Sequence, residues 1–184
     1  MTGAIQVVDH DPEWAKRFEA IRAVLADALS GVNTRTIEHV GSTSVAGLAA
    51  KPIIDIDVVV AERDAQAAID ALEAPGYECV GTMGIPGRFA MVAPPGTVRQ
   101  NTYVMVDGCL ALRNHLGVRE VLRREEGLRD RYAAVKRELA ARTDDIDVYV
   151  EGKSAILREV LAAAGLGDEQ QREIEDLNRP TAPR

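Results

Sequence analysis

Cysteine is scarce in this 184-residue chain: Cys79 and Cys109 are the only two, and neither stands in a CxxC or other metal-binding spacing. A cysteine-built metal site is thereby excluded, and two reduced, partly buried thiols are expected. Basic residues are outnumbered, with 22 Lys and Arg against 29 Asp and Glu and a formal charge of −7. Nonspecific affinity for a polyanion comes from clustered Lys and Arg, so a nucleic-acid partner is disfavoured. No run approaches 18 consecutive apolar residues, and residues 1–9 lack a basic segment followed by an apolar one. Neither a membrane span nor a signal peptide is expected, and the expected location is cytoplasmic. Internal repeats and domain-scale linkers are also missing, and the length suits one domain. That domain is expected over residues 1–165. Residues 166–184 are polar, acidic and proline-terminated, and are expected to be disordered. Nothing in the sequence sets an oligomeric state.

What the chain does have is residues 37–60, IEHVGSTSVAGLAAKPIIDIDVVV. A β-prone run ends at Val40, the chain turns through Gly41-Ser42-Thr43-Ser44, and a second strand follows Pro52. Side chains alternate faces along a strand, so Asp55 and Asp57 share one face, roughly 6.5 to 7 Å apart. Two ionised carboxylates buried without partners would cost several kcal/mol or stay protonated, so this face is expected to lie open with something positive upon it. A divalent cation, Mg2+ or Mn2+, is the economical answer, with Asp55 and Asp57 as ligands and phosphate oxygens completing its shell. Glycine lets backbone approach a ligand closely, and the hydroxyls and N–H groups of the turn can hold phosphate.

A Gly-Ser after one strand and an Asp-x-Asp on the next resembles the nucleotidyltransferase superfamily. The fuller string HVGSTSVAGLAAKPIIDI is more narrowly similar to the GrpB family (UPF0157), with a resemblance covering most of residues 5–163. It implies an α+β, nucleotidyltransferase-like fold, a small mixed β-sheet flanked by helices. It also implies a nucleoside triphosphate ligand and transfer of its nucleoside monophosphate to a small, unidentified acceptor. Two magnesium ions about 3.5 to 4 Å apart would serve that chemistry. The rival implications are a nucleotide-binding module without turnover, and an accessory domain, since GrpB-like domains also occur fused to dephospho-CoA kinase.

Superfamily enzymes add a third carboxylate from a neighbouring strand, for which Asp107 is the candidate; a turn residue before Gly108 is the other reading of it. Family members carry a His-x-His where this chain has Asn101-Thr102-Tyr103, and Asn and Tyr cannot serve as general bases near neutral pH as imidazole can. Lys51, Arg88 and Arg99 are candidate phosphate contacts, with a Lys51–Asp55 ion pair as the alternative for the first. His39 is a candidate for the acceptor pocket or a structural hydrogen-bond partner. Lys136, Tyr149 and Lys153 match positions the family tends to keep, and Lys136 and Lys153 join Asn101 and Tyr103 as acceptor-pocket candidates. His10 and His115 read as surface or core-edge residues, and the charged run over 119–142 as a solvated face.

The remaining pattern supplies the scaffold. Asp11-Pro12 opens a helix whose stripe is Trp14, Phe18, Ile21, Leu25 and Leu29, with Gly31 beyond it. A second helix is expected over 64–74 and a strand over 77–80. Residues 81–96 hold four glycines and three prolines, marking a loop with a short extended piece at 88–92. A strand over 97–107, helices over 110–124 and 127–142, and a last helix over 151–164 complete the expectation.

Overall fold

The structure is a computed structural model and describes residues 5–178. Five strands form one mixed sheet: β1 (Thr34–Val40), β2 (Ile54–Val60), β3 (Glu78–Cys79), β4 (Arg88–Val92) and β5 (Gln100–Val106), in the order β1-β2-β5-β4-β3. β2 and β5 run parallel, and the other neighbours are antiparallel. The crossover between the parallel pair carries helix α2 (Ala65–Glu73), which a parallel connection needs in order to return along the sheet.

Alternation along β2 divides its residues between two layers. Ile54, Ile56, Val58 and Val60 face α1 (Glu13–Ala28) and α2, where the predicted stripe Trp14, Phe18, Ile21, Leu25 and Leu29 is buried together with Leu72 and Val104. Each such side chain contributes about 1.5 to 3 kcal/mol on burial, so this layer anchors the sheet. The Asp11 carboxylate accepts from the Glu13 amide at 2.9 Å and caps the start of α1. Asp55, Asp57 and Val59 face the other way, under α3 (Leu110–Arg124), where Val59 and Met105 pack on Ala111 and Leu112.

Three further helices follow α4 (Glu126–Arg142): α5 (Ile146–Gly152), α6 (Ser154–Ala163) and α7 (Asp168–Asn178). The expected single last helix is thus two, because the Asp145 side chain accepts from the Asp147 and Val148 amides and starts α5 ahead of it. The expected disorder from residue 166 is corrected as far as Asn178. Asp168 and Glu169 sit in the first turn of α7, complementing its dipole, and Ile174 is buried against Leu161 and Leu166. Residues 179–184 of that expectation lie outside the described ones.

Candidate functional site

β1 ends at Gly41, whose backbone (φ 67°, ψ −173°) lies in a region open essentially to glycine alone. A Cβ at this position would overlap the Asp55 carboxylate, so the glycine is what lets the turn lie against β2. Beyond it Ser42–Ser44 form a single 3-10 turn, closed by the Ser44 hydroxyl donating to the Gly41 carbonyl at 2.7 Å. Helix α3 pins this turn from outside. Arg123 donates twice to the Ser44 carbonyl, at 2.9 and 3.3 Å, and Arg119 donates to the Glu38 carboxylate at 2.7 Å and the His39 carbonyl at 2.9 Å.

His39 supports the turn from below. Its ring stacks on Phe18 at 4.6 Å, and its Nε2 lies 3.0 Å from the Thr43 hydroxyl, which itself donates to the Ile53 carbonyl at 3.2 Å. Since the one hydroxyl proton of Thr43 is given to Ile53, His39 Nε2 must carry the proton between them. Burial, with the charges of Arg123 and Arg119, pushes the imidazole pKa down to about 4, so it stays neutral. His39 is therefore placed as a structural post, and buried Thr43 spends its hydroxyl inward.

The two aspartates have different surroundings. Asp55 faces a cleft and accepts from Asn101 Nδ2 at 2.7 Å, and burial pushes its carboxyl pKa up against the lowering effect of that bond. Asp57 is 0% exposed, with its two oxygens 2.8 and 3.1 Å from His115 Nδ1. The expectation of an open acidic face is therefore corrected at Asp57: α3 covers it and supplies a hydrogen-bonding partner, His115, from 58 residues away. Burial lowers the His115 pKa, but the charge and hydrogen bond of Asp57, with Asp55 behind, outweigh this and raise it. Tyr103, opposite Asp57 in the β2/β5 register, presents its ring to His115 at 5.9 Å and carries the Arg88 guanidinium over its face at 4.8 Å.

Asp107 is not brought to the pair. It follows β5 four residues after Tyr103, roughly 13 Å along the strand at about 3.3 Å per residue. There its carboxylate lies 2.9 Å from Arg35 Nε on the exposed surface. The position opposite Asp55 in β5 is occupied by Asn101.

Gly41, Ser42, Thr43, Lys51, Asp55, Asn101, Lys136 and Lys153 instead converge on one cleft of about 250 Å³, closed by Tyr132 and Tyr149. Lys136 is 3% exposed, donates to the Ala49 carbonyl at 2.6 Å and lies over the Tyr132 ring. Burial and the neighbouring Lys153 charge push its pKa down to about 7. Lys153 and Lys51 share the Tyr149 ring, 4.7 and 5.3 Å from its centroid. Burial and the Lys51 charge push Lys153 down to about 8, and burial lowers Lys51 as well. Among the described residues, Asp55 is the one carboxylate lining this cleft, so three amines face a single acid. Ser44, Arg88 and Arg99 do not line it.

A two-cation arrangement does not fit these side chains. Asp57 has no exposed oxygen, the third acid lies elsewhere, and among the described residues no group of three His, Cys, Asp or Glu side chains could hold a metal.

Sequence reasoning missed His115, Arg119 and Arg123 as parts of this region. Their spacing of four places them on one face of a helix, a signal present in the sequence. Tyr132, inside the helix expected over 127–142, is a further residue of the cleft.

A mixed sheet with a Gly-Ser turn after its first strand and Asp-x-Asp on the second defines a nucleotidyltransferase-like fold. Cid1, solved in complex with its short product ApU, shares that fold at a TM-score of 0.52 and 19% identity, over 74% of this chain and 43% of Cid1. The chain belongs to the GrpB family: the model described as GrpB protein matches residues 4–163. A UPF0157 protein of Streptomyces coelicolor is 36% identical over 163 residues, 88% of this chain and 84% of the relative. The conserved protein GrpB from Enterococcus faecalis superposes with a TM-score of 0.74 at 32% identity, over 88% of this chain and all of that one. Among the described residues no helix is long and apolar enough to cross a membrane.

Proposed function

We propose that this protein binds a nucleoside triphosphate, with its phosphates held between Gly41-Ser42 and the amines of Lys51, Lys136 and Lys153. The observation that carries this reading is the convergence of three lysines and a Gly-Ser turn on a cleft with one carboxylate. Such a site is short of negative charge, and a polyphosphate supplies it. The lowered amine pKa values fit the same reading, since crowded and buried ammonium groups regain protons when an anion arrives.

Magnesium, or manganese, enters this reading with the nucleotide. A cation already coordinated by phosphates needs one or two protein carboxylates, and Asp55 is the one that faces the cleft. Transfer of the nucleoside monophosphate to a small acceptor has less support, because Asp107 is paired with Arg35 and Asp57 with His115. Binding without two-cation transfer is the reading the geometry favours. The small cleft and the charge of −7 favour a mononucleotide over a polynucleotide. A cytoplasmic setting, where Cys79 and Cys109 stay reduced, goes with it.

Calorimetric titration with adenosine, AMP, ADP and ATP in the presence of magnesium tests the proposal. Affinity is expected to rise with each phosphate. Equal affinity for adenosine and ATP, or no binding of either, overturns it.

A further inference from the structure

Asn101 lines two concavities. On one side is the lysine cleft; on the other an open groove of about 470 Å³ follows β4 and β5, within the size range of small-molecule sites. The groove is lined chiefly by Val80, Met83, Ala90, Met91 and Val92. Several of these remain in water, with Met83 70% and Val92 51% exposed. Arg99 is the one charged residue of the lining, and among the described residues it has no carboxylate partner.

The character of the lining narrows the ligand. Tyr103 is its one aromatic residue, and that ring is already covered by the Arg88 guanidinium at 4.8 Å and met by His115 at 5.9 Å. One face of that ring is taken by the Arg88 guanidinium, whereas the exposed thioether of Met83 and the aliphatic groups of Val80 and Val92 suit an alkyl chain. The unpaired guanidinium at the rim suits a carboxylate or phosphate. A molecule in the groove and phosphates in the cleft would both lie against Asn101, which donates to Asp55.

We infer that the groove is a second ligand site that takes a small molecule with an aliphatic body and one anionic group, the body against Met83 and Val92 and the anion at Arg99. The inference rests on the nucleotide reading only for the claim that two ligands sit side by side.

The test uses the full chain with methionine methyl groups labelled for NMR, and octanoate as the probe. Octanoate is expected to move the Met83 methyl signal while buried Met91 and Met105 stay still. Arg99→Gln, at an exposed position, is expected to weaken octanoate roughly threefold, the scale of an ion pair at a solvated rim. Neutral octanamide is expected to bind both forms alike. Saturating ATP is expected to leave octanoate in place. The inference is overturned if Met83 does not respond, if Arg99→Gln binds octanoate as well as the parent chain does, or if ATP displaces octanoate, which would make the groove the subsite of the nucleoside. Failure of the nucleotide reading has a different signature: no heat with ATP while octanoate binding and its Arg99 dependence persist.

Discussion

Replacing Gly41 by Ala adds a single methyl group and is expected to damage both fold and site. Two costs arise. The backbone at φ 67° and ψ −173° lies where a non-glycine residue is strained by about 1 to 3 kcal/mol. In addition, the new Cβ would stand 2.8 Å from Asp55 Cγ and 2.9 Å from its Cβ, so strand or turn must move. Together these predict a loss of at least about 2 to 4 kcal/mol, with overpacking contributing about 1 kcal/mol or more. For a chain of this length each kcal/mol lowers the melting temperature by about 2 to 4 °C. Thermal unfolding checks the total, and Gly96→Ala supplies the control, since Gly96 has φ 83° with nothing within 4 Å of an added Cβ. A double-mutant cycle with Asp55→Ala separates clash from strain, because that truncation removes the carboxylate from the methyl group's path. The double variant is expected to be more stable than the sum of the single losses implies. Strict additivity, or a Gly41→Ala loss no larger than that of Gly96→Ala, would refute the claim that Gly41 is required by the approach of Asp55.

Three further outcomes follow from the same geometry. His39 has a folded pKa depressed to about 4, so its contribution to stability is complete above pH 6.5 and is lost as pH falls through the window down to about 4. Denaturant titrations across that range should show this slope in the parent chain and not in His39→Gln. Asp107→Asn breaks an exposed pair with Arg35, so stability should change by about 1 kcal/mol or less, with ATP affinity unaltered; a large loss of ATP binding would place Asp107 in the site after all. Lys136 and Lys153 have pKa values near 7 and 8, so ATP binding at pH 8 should take up protons, which calorimetry in two buffers of different ionisation enthalpy reads directly.

Much of the scaffold was legible because it rests on local periodicity. The stripe from Trp14 to Leu29 has helical spacing, and Ile54 to Val60 alternates around two acids, so α1 and β2 could be placed before any contact was known. Helix α5 was not, because Ile146 and Val148 are 44% and 50% exposed and only Tyr149 is buried, leaving no apolar stripe to see. α7 hid for a related reason: Ile174 and Leu177 in a highly charged segment read as a tail until Leu161, Leu166 and the Leu112 cluster are there to receive them. At the site, the Gly-Ser turn and the Asp-x-Asp were visible as a local motif. The fate of Asp57 was not, since it depends on His115 arriving from another element. Lys136 and Lys153 were singled out by resemblance, and only tertiary packing put them beside Lys51 and Asp55.

The central claim is that the three-lysine cleft holds a polyphosphate. Calorimetric titration of ATP with magnesium at pH 8 into the parent chain and into the Lys51→Met, Lys153→Met double variant tests it most directly. Methionine keeps much of each stem's contact with Tyr149 while removing the charge. The account expects binding in the parent chain and a loss of at least tenfold in the variant, about 1.4 kcal/mol, with the fold unchanged by circular dichroism. Undiminished ATP affinity in a folded double variant would contradict it.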